Sequence, residues 1–358
     1  MADVIVRHSL DLRPGELTLL AFEPAAYPLV KEVYRAALEL GAHPYVQTLY
    51  PELDEVLLKL GNDEQIGFVS EMARLEIEQI RARLVVRAGE NASMLAGVAP
   101  ERMTAHRRAR LQLFGRMLDR KARKELKVCL TQYPTNGAAQ EAGMSLADYE
   151  GFVFHACFID KDDPIGAWRA LSAEQQHYAD FLETVRQVRI EGPDTELELS
   201  IAGRKWVNSD GKANFPSGEV FTGPVEDSAH GHIGFDMPAM YLGRTVEGVR
   251  LEFKAGLVVE ATATRGQETL DQALATDDGA RLLGEFAFGL NYGITRATRN
   301  ILFDEKIGGT IHLALGAGYP ETGSTNKSAI HWDMIKDMKA GRVYADGKLV
   351  YENSRFKV

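Results

Sequence analysis

The spacing of apolar positions changes partway along the chain, and the change divides it. Up to about residue 190, short apolar runs alternate with stretches of helical period. Leu17 to Phe22 reads as a buried strand, and Pro24 to Leu40 follows as a helix with Val30, Val33, Tyr34, Ala37 and Leu38 on one face, stopped at Gly41. His43 to Tyr50 reads as the next strand. The cycle recurs as a helix from about Asp63 to Arg81, built on Ile66, Val69, Ala73, Ile77 and Ile80, and as strands at Leu84 to Ala88 and Lys127 to Tyr133. Repeated strand–helix units predict a parallel sheet with helices on both faces. A further helix is predicted from Ser172 to about Val188, opened by the capping box Ser172-Ala-Glu-Gln175.

Beyond that helix the period becomes two. Leu197, Leu199 and Ile201 alternate with polar residues, and the strand-like runs Val220 to Thr222, Val249 to Phe253 and Leu257 to Ala263 follow between Gly and Pro turns. Near the end, Asp346-Gly347 sits between two apolar runs as a hairpin turn. The expected fold is α/β, with a doubly wound parallel-sheet domain over 1–189. A mixed, mainly antiparallel α+β domain is expected over 190–358.

At 358 residues, with 45% hydrophobic and 26% charged positions, the chain has the composition of an ordinary globular protein with material for two cores. A net charge of -10 argues against a nucleic-acid partner, which requires concentrated Lys and Arg. The one basic stretch, Arg102 to Lys127, interleaves Arg107, Arg108, Arg116 and Arg120 with Leu111, Phe114 and Leu118 at helical spacing and reads as an amphipathic helix with a solvated basic face. Cys129 and Cys157 lie in apolar runs and read as buried thiols of a reducing compartment. With no basic leader and no run of membrane-spanning length, cytoplasmic residence without a membrane partner is expected.

Signatures for nucleotide and serine chemistry fail. Gly316-Ala-Gly318 has neither Rossmann spacing nor an opening helix, no Walker lysine pattern occurs, and there is no Gly-x-Ser-x-Gly elbow. Ser324-Thr-Asn-Lys327 lies among Gly and Pro and reads as a loop. What remains is a set of acids and imidazoles. Gly309-Thr-Ile-His312 and Ser328-Ala-Ile-His331-Trp-Asp333 gather two imidazoles and a carboxylate, and in a strand His331 and Asp333 share one face. Glu219 and Glu285 each follow a glycine and lead into an apolar run, where a carboxylate is either at a surface turn or compensated by a cation. Two glutamates, two histidines and an aspartate suit a pair of divalent ions. A rival cluster, His230-Gly-His232 with Asp236, falls in what reads as a Gly-rich turn segment.

These strings resemble a known family. Phe-Pro-Ser-Gly-Glu219-Val-Phe-Thr-Gly-Pro, Asp278-Gly-Ala-Arg-Leu-Leu-Gly-Glu285, Asn291, Leu302-Phe-Asp-Glu-Lys306, Gly309-Thr-Ile-His312-Leu-Ala-Leu-Gly and Asn326-Lys-Ser-Ala-Ile-His331-Trp-Asp333 are similar, in order, to the M29 metallopeptidases of the aminopeptidase T group. The first half agrees more loosely, through its strand–helix alternation and the Trp168 to Leu182 segment. The resemblance implies a cytoplasmic, homodimeric aminopeptidase acting on small peptides with two divalent ions, zinc, cobalt or manganese. It places the metal ligands on Glu219, Glu285, His312, His331 and Asp333 and a catalytic tyrosine on Tyr319, which would donate to the developing oxyanion. Glu219 or Glu285 would take the proton of the attacking water, with Glu285 favoured as bridging ligand or base. One departure stands out: eleven residues separate Tyr319 from His331, where the family is expected to carry a longer loop. Two other readings are a mononuclear iron ring-cleaving dioxygenase on the same fold, for which two histidines and one carboxylate suffice, and a non-catalytic binding protein, which would have lost a ligand.

Overall fold

The computed structural model describes residues 1–91 and 93–358. They form two compact units, 1–154 with 211–215, and 155–210 with 216–358.

The first unit holds a five-stranded sheet in the order His43–Thr48, Leu17–Phe22, Ala82–Arg87, Lys127–Gln132, Asn214–Phe215, with every pair parallel. Its first four strands follow the 2-1-3-4 order of doubly wound folds. The second strand in that order runs Leu19-Leu20-Ala21 without exposure, as expected where helices cover both faces. One expected helix is two. The Asp63 to Arg81 stretch breaks into Asp63–Gly67 and Glu71–Gln79 because each half has its own cap: Asn62 and Gln65 form a capping box, and the Ser70 hydroxyl accepts from the Ala73 amide at 3.2 Å. A helix at Pro51–Leu60 precedes them, with Pro in its first turn beside Glu52 and Asp54. The basic stretch is helix Pro100–Ala122, and not all its basic face is solvated. Arg120 is buried and donates to the carbonyls of Ile77 and Ile80, capping the end of Glu71–Gln79, and Arg116 pairs with Glu78 at 2.7 Å.

In the second unit the expected helix at Ser172 begins earlier, as Pro164–Leu182. Asp163 caps it, accepting from the Gly166 amide at 2.8 Å, and Pro164 takes the position where a missing N–H costs nothing. Ser172 therefore sits mid-helix and donates to Asp210 at 2.8 Å instead of capping. An eight-stranded antiparallel sheet includes the Asp346-Gly347 hairpin, whose two turn residues have φ of 46° and 81°. It also includes His230–Gly234, which is a strand between Thr195–Ser200 and Arg250–Lys254, not a turn segment.

A second antiparallel sheet carries the chemistry. Its order is His331–Asp337, Thr310–Gly316, Leu283–Gly289, Glu219–Thr222, Val207–Ser209. One face supplies Val220, Phe286, Phe288, Ile311, Leu313, Leu315, Trp332 and Met334 to the unit's hydrophobic core. At about 1.5–3 kcal/mol for each fully buried large apolar side chain, that face anchors the sheet and leaves the alternate positions free for polar groups. Among the described residues, no helix is long and apolar enough to cross a membrane. Both cysteines are buried, and among the described residues neither forms a disulfide.

Candidate metal centre

The alternate positions of this sheet are Glu219, Glu285, His312, His331 and Asp333, all on the face opposite the core. Register explains why they fit together. Residues directly opposite in an antiparallel pair share a face, and here each donor looks across at a small residue on at least one side, His312 standing between Ala287 and Ile335. Glu219 pairs with Gly289, His312 with Ala287, Glu285 and Asp333 both with Ala314, and His331 with Gly316. The small neighbours leave room above the sheet for long charged side chains to converge. A bulge between Leu283 and Glu285 turns Glu285 onto this face.

The glycine before each glutamate has a steric cause. Gly218 has φ of 122°, and a Cβ there would lie 2.6 Å from the Asn291 Cβ. At Gly284 a Cβ would collide with the carbonyl oxygens of Gly316 and Ala317. Both glutamates thus leave backbone pressed against a neighbouring segment, and neither is at a surface turn: Glu219 and Glu285 are each 4% exposed, and His312 is fully buried.

Distances within the cluster are short. His312 Nε2 lies 3.5 Å from Glu219 Oε2 and 3.4 Å from Glu285 Oε1, and His331 Nε2 lies 3.2 Å from Glu285 Oε2 and 3.6 Å from Asp333 Oδ1. The His331 ring is oriented from behind, its Nδ1–H donating to the Ala317 carbonyl at 2.7 Å, which leaves Nε2 facing the carboxylates. Three sets of donor atoms lie within 4.8 Å of one another: Glu219, Glu285 and His312; Glu285, His331 and Asp333; and Glu305, His312 and Asp333. Glu285 belongs to two of them.

Tyr319 stands at the rim, its ring 5.0 Å from that of His331 and 5.2 Å from Phe221, with 39% of its surface open. The link from Tyr319 to His331 is a pinned strap. Ser324 and Thr325 bond to Glu226, which also pairs with Arg204 at 2.5 Å; Asn326 bonds to the Gly279 and Gly316 carbonyls; and Ser328 and Ala329 bond to Asp277, each at 2.7 Å. The Ser324 to Lys327 string is a loop, as its composition indicates.

Crowding of charge decides the protonation of this cluster. Against the effect of burial, Asp333 and Glu285 push His331 up to about 12, and Glu285 and Glu219 push His312 up to about 9. Asp333 goes down to about 2, because His331 outweighs its burial. Glu219 is raised by burial, while Glu285, bonded to both imidazoles, ends below its ordinary value in spite of burial. Tyr319 is held well above the usual phenol value by desolvation and by the carboxylates of Glu285 and Asp333.

Two further charged residues join the cluster unassigned by the reading of the sequence. Glu305 and Lys306 follow the short helix Ile301–Asp304. Lys306 is fully buried, pairs with Glu305 and lies 3.5 Å from Glu219 Oε1. Burial pushes Glu305 up to about 8 even beside that ammonium. Their signal in the sequence was the Leu302-Phe-Asp-Glu-Lys306 string itself, an apolar run that continues straight into charge. The rival cluster does not converge. His232 approaches Asp194 only to 3.8 Å, Asp236 accepts from Lys336 and from the Asp337 amide, and His230, His232 and Asp236 belong to none of the three donor sets among the described residues.

A doubly wound unit followed by an antiparallel unit whose sheet face bears a buried carboxylate–imidazole cluster is the architecture of a metalloenzyme. The comparisons are specific. The pattern of the thermophilic metalloprotease family M29 matches residues 1–356. Aminopeptidase 2 of Geobacillus stearothermophilus is 29% identical over 97% of this chain and 94% of its own length, and aminopeptidase T of Thermus thermophilus is 25% identical over 97% and 94%. The solved structure of wild-type AmpT from Thermus thermophilus superposes with a TM-score of 0.86 at 25% identity, covering 100% of this chain and 98% of that one. The chain belongs to the M29 metalloprotease family.

Proposed function

We propose that this chain is a metal-dependent aminopeptidase that removes N-terminal residues from small peptides, with two divalent ions held by Glu219, Glu285, His312, His331 and Asp333. The observation that carries the reading is the overlap of the donor sets at Glu285, whose Oε1 faces His312 and whose Oε2 faces His331. One carboxylate reaching toward two imidazoles from two oxygens is suited to bridge. The aminopeptidase names of the relatives support the reaction class.

The donors fit such ions. Among the described residues, Glu219 Oε2 and Asp333 Oδ1 are buried without a hydrogen-bond partner, and an unsatisfied buried carboxylate oxygen is costly unless a cation faces it. Nitrogen and oxygen donors of this kind suit zinc, cobalt or manganese. A cation also replaces the protons that the two imidazoles otherwise hold. Retention of both glutamates favours two ions over the single iron of a ring-cleaving dioxygenase.

When bound, the ions would lower the pKa of a water and polarise the scissile carbonyl. The protein's part is to aim and to move a proton. One of the two glutamates, Glu219 or Glu285, takes the proton of the attacking water and returns it to the leaving amine. Tyr319 keeps its hydroxyl proton and offers it to the developing oxyanion from the open rim. His331 cannot swing away, because Ala317 holds its far nitrogen.

Cytoplasmic residence is proposed on the two buried cysteines, neither of which forms a disulfide among the described residues. A homodimer is proposed on the first unit's exposed apolar residues Leu53, Leu60, Phe68, Met72 and Phe114. The central test is direct. Purified protein should hold close to two divalent ions per chain and release leucine from a leucyl chromogenic amide. Absence of hydrolysis with zinc, cobalt and manganese each supplied would overturn the assignment.

A further inference from the structure

The Glu305–Lys306 pair has no role in the reaction as described, yet it places a full positive charge inside a centre that should attract cations. Burying an ammonium costs several kcal/mol before its partners return anything, and Glu305 by itself would satisfy one of its donors. The second contact is informative. Lys306 Nζ stands 3.5 Å from Oε1 of Glu219, while Oε2 of the same carboxylate has no hydrogen-bond partner and faces His312 at 3.5 Å. The two oxygens of Glu219 are therefore divided between an ammonium and the donor cluster.

Both ends of this contact are set by one buried residue. The Asn291 amide donates to the Lys306 carbonyl at 3.0 Å, and its side-chain Nδ2 donates to the Ser217 carbonyl at 2.8 Å, two residues before Glu219. Asn291 is fully buried. The loop that carries Lys306 is braced again by Asp304, which accepts from the Thr298 amide and hydroxyl at 2.7 and 2.8 Å.

We propose that Lys306 is a positioning residue: its ammonium occupies Oε1 of Glu219, so that Glu219 meets an ion through Oε2 alone. The proposal rests on the reading of Glu219 as a metal ligand. Without Lys306, both oxygens would be open to the ion, and the carboxylate would chelate and change the ion's coordination number. Lys306 thus acts through Glu219 and not on substrate.

Cobalt-loaded protein tests this, because the visible spectrum of cobalt(II) reports coordination number independently of turnover. In Lys306→Met, cobalt content should stay at the wild-type value while the spectrum changes. The kcat for a leucyl amide should fall about 10- to 100-fold, the range for residues that orient a metal ligand, with KM little moved. Lys306→Arg should restore part of both. If Lys306→Met does not fold, Glu305→Gln combined with Lys306→Met removes the stranded charge and is read against Glu305→Gln alone, because Glu305 belongs to a donor set of its own. A folded variant of either kind with wild-type spectrum and kcat overturns the proposal. A Glu219→Gln protein that keeps full cobalt content and the wild-type spectrum overturns the ligand reading beneath it instead.

Discussion

Ala314 lies directly across the strand ladder from Asp333, on the face that carries the charged cluster, and its other neighbour in register is Glu285. It is fully buried. A methyl group is thus what the sheet presents between two carboxylates of the proposed metal centre. Ala314→Leu should fill that space. Overpacking of this kind costs about 1–3 kcal/mol, which the unit's core should survive, but bound metal should drop by at least one ion per chain and hydrolysis with it. Elemental analysis beside a thermal melt checks the point; full metal content in the variant would show that the small residues opposite the donors do not create the room for ions.

Tyr319 is proposed to act through its hydroxyl, and 39% of its surface is open. Tyr319→Phe should therefore leave metal content and melting temperature unchanged. If the phenol donates to the oxyanion, kcat should fall by about 10²–10³, the range for one lost oxyanion donor, with little change in KM. Steady-state kinetics on a leucyl amide separates the two parameters, and an unchanged kcat would remove Tyr319 from the mechanism.

Glu285 is proposed as bridging ligand or base, and the substitution of choice is Glu285→Ala. Turnover should be abolished while far-ultraviolet circular dichroism stays that of the wild type, because the strand around it is anchored by Phe286 and Phe288 on the opposite face. A fully active variant would sink the assignment.

How much of this could be read from the sequence depends on which physical effect carried each feature. Strand Leu17–Phe22 and the Asp346-Gly347 hairpin were legible because their signals are local: an apolar run and a turn that needs positive φ. The start of Pro164–Leu182 was not. Ser172-Ala-Glu-Gln175 has the form of a capping box, but Asp163-Pro164 nine residues earlier caps better, and Ser172 is spent on Asp210. At the centre, His331 and Asp333 sharing a strand face was a period-two inference. For Lys306 the only local signal was the apolar run leading into charge at Leu302-Phe-Asp-Glu-Lys306; its approach to Glu219, distant in sequence, appears only in the fold. The small residues opposite each donor were in plain view, but only register gives them meaning.

Asp277 provides a test of the short strap between Tyr319 and His331. Its carboxylate accepts from the Ala280 amide at 3.0 Å, capping the turn Asp278–Arg281, and from the Ser328 hydroxyl and Ala329 amide at 2.7 Å, two residues before His331. Burial alone would raise its pKa, yet these bonds hold it below the ordinary aspartate value. A carboxyl whose pKa is depressed by folding adds stability that is present above the unfolded-state pKa, about 3.9, and is lost as pH falls through the lower folded value. Asp277→Asn turns one acceptor into an N–H facing the Ala329 N–H, and should destabilise the protein by about 1–3 kcal/mol. That difference should be constant from pH 7 to pH 5 and should narrow below about pH 4, where the wild-type carboxyl itself begins to take up a proton. Urea denaturation of both proteins across that range measures it. A gap that stays the same at pH 3.5 as at pH 7 would mean that the ionised form of Asp277 is not what pins the strap.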